Sequence, residues 1–168
     1  MATENDSYCL EADVVARCQY LADFTTTTVP TQAQVLDFMA QRAGELYMIL
    51  YGVMGSEAVG PPSYDNPVDV TTDPGKGLAA VLKEFNAIGA AVDALQAAGA
   101  GETPARSERI SELWAMWEMR EVAVKSAAQS YVGDASFSAT HISTGEISPA
   151  TVTSREEDGL TFTGQTEY

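Results

Sequence analysis

His141 is the chain's single histidine, so it is the first residue to test for proton transfer or nucleophile activation. A serine hydrolase would need a nucleophile on a sharp G-x-S-x-G turn. The stretch around His141, "SATHISTGE", carries no such turn. His141 therefore reads as a solvated or interface residue. "DPGKGLAA", Asp73 to Ala80, resembles a phosphate-binding loop only superficially. It lacks the first glycine at the required spacing and has Gly77 where a serine or threonine should hold magnesium. Helix capping by Asp73 with Pro74 behind it explains the same letters. The carboxylates Glu108, Glu112, Glu118 and Glu121 come without a Glu-x-x-His pair, so they do not spell a two-metal bundle site. "REEDG", Arg155 to Gly159, is too short and wrongly spaced for a calcium loop. Cys9 and Cys18 match no zinc or redox spacing and are expected as free, partly buried thiols. No catalytic residue, metal or cofactor is expected, and the chain reads as a non-enzyme.

The 168 residues suffice for one domain with a substantial core plus an appendage, and the 45% apolar content lets most of the chain fold. A formal net charge of −15 sets the protein apart. It opposes binding to nucleic-acid phosphates, which requires clustered lysine and arginine. It suits a cationic partner, or a wall past which DNA slides without sticking. The N-terminal stretch "MATENDSYCLEADVV" has no basic region followed by an apolar one, so no secretory signal is expected. The most apolar run, Leu46 to Met54, is too short to span a bilayer, and no membrane partner is expected.

Periodicity predicts four helices. Glu11 to Leu21 places Val14, Val15, Cys18 and Leu21 on one face, with Glu11 and Asp13 suiting the dipole of the first turn. "FTTTT" and Val29–Pro30 then form an extended bridge, because β-branched threonines and a pre-proline residue disfavour helix. Thr31 with Gln34 three residues on makes a capping box for a long helix from Gln32 to about Met54. Ser56 to Gly75 is a long proline-rich loop, and loops of this length usually have a purpose. The third helix spans Asp73 to Ala98 and the last spans roughly Ala105 to Tyr131. In "LWAMWEM", Leu113 and Trp114 are expected in the core. Met116, Trp117 and Met119 are left for a second buried face, a subunit contact. From Val132 the composition turns to Ser and Thr with little helical period. "FSATHIS" and "LTFTG" could be short strands once something pairs with them. The expected organisation is mainly α: a four-helix bundle-like domain over residues 1–131, with an extended C-terminal arm over 132–168 containing short β pieces.

The first helix, the threonine bridge and the capped long helix together resemble the opening of head-tail connector proteins of tailed bacteriophages, also called adaptor or head completion proteins. The matching residues are Tyr8, Asp13, Val14, Phe24, Thr25, Pro30, Thr31, Val35, Phe38, Met39, Ala43 and Leu46, within the first third of the chain. The loop from Ser56 to Thr72 is longer than compact members of that family have. The resemblance implies a small helical subunit of a ring beneath the portal, expected as a dodecamer of about a dozen copies. Such a ring continues the DNA channel, touches DNA without specific binding, and presents a surface to the next neck or tail protein. The chain would then reside in the virion at the head–tail interface, after synthesis in the host cytoplasm.

In similar proteins a C-terminal extension reaches the portal or a neighbouring subunit by adding strand to strand. Here Phe137, Ile142, Leu160, Phe162 and Tyr168 would make that contact, with Leu160 and Phe162 alternating against Thr161 and Thr163. The alternatives are another neck protein, a stopper or tail completion protein, and an acidic helical interaction protein outside the virion such as a DNA mimic. Stoppers tend to be β-rich. A mimic would concentrate its acids on one face, whereas these are spread along the chain.

Overall fold

From Asn86 to Val92 every residue of one helix is buried. A helix turns every 3.6 residues, so such a run is enclosed on all sides over about two turns. The side chains that allow this are small: Ala87, Gly89, Ala90 and Ala91 let neighbouring helices approach closely. The rest of the structured chain is arranged around this segment.

The computed structural model describes residues 2–19, 21, 23–99 and 104–144, with 106 and 134–144 as backbone only. Five α-helices lie among them: α1 (Glu11–Cys18), α2 (Gln32–Met54), α3 (Asp73–Ala97), α4 (Pro104–Glu118) and α5 (Arg120–Thr144), with short 3-10 turns at Glu4–Asp6 and Gly55–Glu57. α3 is the enclosed helix and packs against α1, α2 and α4. The protein is mainly helical, and the described residues contain no strand. No described helix is long and apolar enough to cross a membrane.

α2 starts where its capping signal puts it. The Thr31 hydroxyl accepts from the Gln34 backbone N–H at 3.4 Å, and the Gln34 side chain accepts from the Thr31 N–H at 2.9 Å. Its buried line is Val35, Met39, Ala43, Leu46 and Leu50, spaced three and four apart as a helix facing a core requires. α3 begins one residue earlier relative to its cap than expected. Thr72 is the N-cap, accepting from the Gly75 N–H at 3.3 Å, and Asp73 is already helical. Gly75 must be glycine there, since a Cβ would stand 1.6 Å from the Asp69 carbonyl oxygen.

The threonine bridge is not extended. The Thr25 N–H donates to the Thr28 hydroxyl at 2.8 Å, and the Thr28 hydroxyl lies 2.9 Å from the Pro30 carbonyl. The Gln32 N–H closes back on the Thr25 carbonyl at 2.9 Å. Side-chain hydroxyls thus compete with strand-like backbone and fold the segment into a knot of local turns.

The proline-rich loop is packed down at its start. Ala58, Val59, Gly60 and Pro61 are buried, and the Tyr8 hydroxyl donates to the Val59 carbonyl at 3.1 Å. The Ser63 N–H donates to the Asn5 carbonyl at 2.9 Å, so loop and N-terminal segment hold one another.

The expected last helix is interrupted by one residue at Met119, and helix then continues through Thr144. Phe137 and Ile142 therefore have helical backbone where the composition suggested an extended arm. A helix already nucleated adds residues at little cost, and Ala135 and Ala139 favour its continuation. The chain divides into two units, Met1–Val132 and Gly133–Tyr168. Of the arm contacts, Leu160, Phe162 and Tyr168 lie outside the described residues, as does the "LTFTG" piece.

Asn86 is the polar tie at the centre. It is fully buried, donates from Nδ2 to the Met39 carbonyl at 2.9 Å and accepts at Oδ1 from the Tyr8 N–H at 2.7 Å. One amide thus joins α3 to α2 and to the segment ahead of α1. Asn86→Ala would strand the Tyr8 N–H and open a cavity, and should lower stability by about 2–3 kcal/mol in denaturant titration. A loss under about 0.5 kcal/mol would mean the amide is not the tie it looks.

Candidate functional site

Trp117 and Trp114 exchange the roles read from sequence. Trp117 is 1% exposed and lies over α3, where a Cβ on Gly89 would be 2.7 Å from its ring. Only glycine leaves room for the indole. Arg42 and Arg120 flank the ring, their guanidinium carbons 5.1 and 4.5 Å from a ring centroid, an arrangement favourable to cations. Arg42 is fixed by a bidentate pair with Asp93, both bonds at 2.7 Å, and by Glu45 at 3.1 Å. These partners, Asp93 first, hold the guanidinium still more firmly in its charged form. Arg120 donates to the Trp117 carbonyl at 3.1 Å.

Trp117 is therefore core and not a subunit contact, and Met116 is half-buried against the core. The helix rotates Trp114 outward to 41% exposure. Met119 is 60% exposed and Val122 76%. Sequence alone could not rank the two tryptophans, because both flank a valid apolar stripe. The missing signal was Gly89, whose vacancy receives only one of them.

Two apolar faces are left exposed. On α2 the outward side from Gln41 runs through Gly44, Met48, Tyr51 and Gly52, bordered by Glu45, which is paired with Arg42. Met48 is 66% and Tyr51 51% exposed, and among the described residues nothing beyond the local helix backbone lies within 4 Å of where a Cβ on Gly44 or Gly52 would stand. Tyr64 of the loop packs edge-on against Tyr47 beside this face, with ring centroids 5.0 Å apart. The second face, on α4 and α5, carries Trp114, Met119 and Val122 among the exposed carboxylates Glu108, Glu112, Glu118 and Glu121. The α2 face was not foreseen, since Met48 and Tyr51 sit inside a run that reads as a uniformly buried helix end.

The chemical candidates do not converge. His141 lies in the backbone-only stretch of α5. Lys76 of the phosphate-loop look-alike is paired with Asp73 at 2.8 Å on the first turn of α3. Among the described residues no cluster of three or more His, Cys, Asp or Glu could hold a metal. A recess of about 310 Å³ beside the start of α2 is lined by Ala2, Thr26, Thr31, Gln32, Ala33 and Leu36, none of them ionisable. A recess of about 210 Å³ between α1 and α3 has four charged walls. Those charges satisfy one another, Arg17 with Glu84 and Lys83 with Asp13 at 3.0 Å. The chain matches no family model, no curated protein and no solved structure.

Both thiols are free and buried, and burial pushes each from the ordinary 9.0 up to about 12; Asp13 adds to the effect at Cys9, while Arg109 opposes it at Cys18. The folded chain should be inert to thiol reagents at neutral pH and should react at both sites once denatured. In the unfolded chain these thiols ionise first, so unfolding releases protons between the two values. Their contribution to stability is intact below about 9.0 and falls as pH rises toward 12. Denaturation midpoints across that range should decline less steeply for the chain carrying Cys9→Ala and Cys18→Ala.

The tryptophans give a second test. Trp117→Ala should cost about 3–5 kcal/mol in denaturant unfolding, while Trp114→Ala should stay within about 0.5 kcal/mol. Equal costs would mean both indoles are core.

Proposed function

We propose that this chain is a structural subunit of a bacteriophage neck, forming a ring beneath the portal that joins head to tail and continues the DNA channel. The observation that carries the reading is the pair of separate apolar faces on an otherwise acidic helical domain. A ring subunit makes two kinds of contact, with neighbouring copies and with the layers above or below, and needs a different surface for each. The α2 face, whose bordering Glu45 is paired with Arg42, suits the contact between like-charged copies and supplies one side of it.

The resemblance to connector proteins gains a physical basis from where its residues lie. Val14, Phe24, Val35, Met39, Ala43 and Leu46 are buried, and Thr31 caps α2. They are the residues that set α1, the bridge and α2 around α3.

Electrostatics support a channel role. Arg17, Arg42, Lys76, Lys83, Arg109 and Lys125 are each paired with a carboxylate, and Arg120 stacks on Trp117. A phosphate backbone passing the described surface would find these cations already engaged, so DNA would meet repulsion and no specific binding. The arm residues Leu160, Phe162 and Tyr168 are proposed to reach the portal or a neighbouring subunit. The helical content favours this adaptor layer over a β-rich stopper.

The decisive experiment is the copy number of the chain in purified particles, by quantitative peptide mass spectrometry against the portal protein. Parity is expected, at about a dozen copies, and absence from the particle would sink the neck reading. A chain with Met48→Glu and Tyr51→Glu should remain helical yet fail to enter the particle. A chain ending at Ser154 should lose portal binding.

A further inference from the structure

The two exposed apolar faces differ in charge, and the difference says which of them a second copy can cover. Trp114, Glu118 and Val122 follow one another at four-residue spacing along α4 and into α5, with Ala115 and Met119 beside them. All five positions are exposed. The described cations of this stretch are already committed, Arg109 to Glu112 at 3.1 Å, Lys125 to Glu121 at 2.5 Å and Arg120 to the ring of Trp117. Glu108 and Glu118 make no ion pair among the described residues. The face is therefore an apolar ridge flanked by unneutralised carboxylate.

Covering it with another copy of this chain would bring carboxylate toward a molecule of net charge −15. The described cations of that copy are held in pairs of their own or, for Arg120, against Trp117. Covering it with a segment that carries lysine or arginine around an apolar stripe would bury Trp114, Met119 and Val122 and neutralise Glu108 and Glu118 together. Charge complementarity of this kind selects the partner and speeds its encounter. An amphipathic helix laid along an apolar face is also a recurrent recognition mode.

We propose that the α4–α5 face is the docking surface for a cationic amphipathic segment of a different protein. The contact is apolar at its centre, ionic at its flank, and does not depend on the ring reading.

The test uses the full chain and a fluorescein-labelled synthetic peptide with leucine and lysine at amphipathic helical spacing, read by anisotropy. A leucine–glutamate peptide of the same pattern is the charge control. The leucine–lysine peptide should bind, with affinity falling as salt rises. Glu108→Gln with Glu118→Gln should weaken binding about tenfold, as should Met119→Ser with Val122→Ser. Asp65→Asn with Glu57→Gln, on the loop, should change it less than about twofold. Equal losses from the loop and face charge variants would mean attraction to the acidic protein at large, and would overturn the assignment. Binding of the leucine–glutamate peptide would do the same. So would a self-association of the chain, seen in sedimentation, that Met119→Ser with Val122→Ser abolishes, because the occupant would then be a second copy. Circular dichroism confirms that each surface variant keeps its helix.

Discussion

The amide of Asn86 is the interaction on which the rest of the structure depends. It lies fully buried at the midpoint of α3, where an unsatisfied polar group would be costly, and it is satisfied on both sides by backbone of other segments. Its bond to the Met39 carbonyl fixes the rotation of α2, and its bond from the Tyr8 N–H fixes where the N-terminal segment crosses. Apolar packing alone would tolerate some sliding of helices made of alanine and leucine. A buried hydrogen-bonding group with two required partners penalises each shifted register.

Around that tie, helix α3 is enclosed because it offers so little bulk. Between Asn86 and Leu95 the alanines and Gly89 let three helices approach, and Ile88, Val92 and Leu95 of α3 are buried together with Leu46 and Leu50 from α2 and Leu113 and Trp117 from α4. Trp117 is the largest of them. Its ring occupies the gap at Gly89, and two arginines lie against it, one locked by Asp93. The half-buried Arg42–Asp93 pair gains from a geometry with little freedom left to lose, which separates it from the exposed pairs such as Lys76–Asp73.

The same packing decides what the surface can do. Rotating Trp117 inward carries Trp114, Met119 and Val122 outward. Burying the Val35–Leu50 line of α2 leaves Met48, Tyr51 and Gly52 to solvent. The described cations are held by carboxylates of the chain itself or, for Arg120, against Trp117, so acidic excess falls on the described surface. The result is a described surface on which two exposed apolar stretches differ in the charge around them.

Much of this was legible in the sequence. The cap at Thr31, the extent of α2, the start of α3 near Pro74 and the helical class follow from local rules, because hydrogen bonding at a helix start and apolar periodicity involve only neighbours in the chain. The net charge is likewise a property of the letters. What the letters could not decide turns on which of several competing contacts wins, whether near or far in sequence. Which tryptophan enters the core depends on a glycine in another helix, and the threonine bridge folds back because hydroxyls find carbonyls once Pro30 and Gln32 are placed. The helix persists through Thr144 because α5 is already formed, although its composition resembles an arm. The exposed faces were hidden for the same reason. Apolar residues read alike in a sequence, and only the packing of α2 and α4 against α3 separates those that hold the fold from those left for a partner.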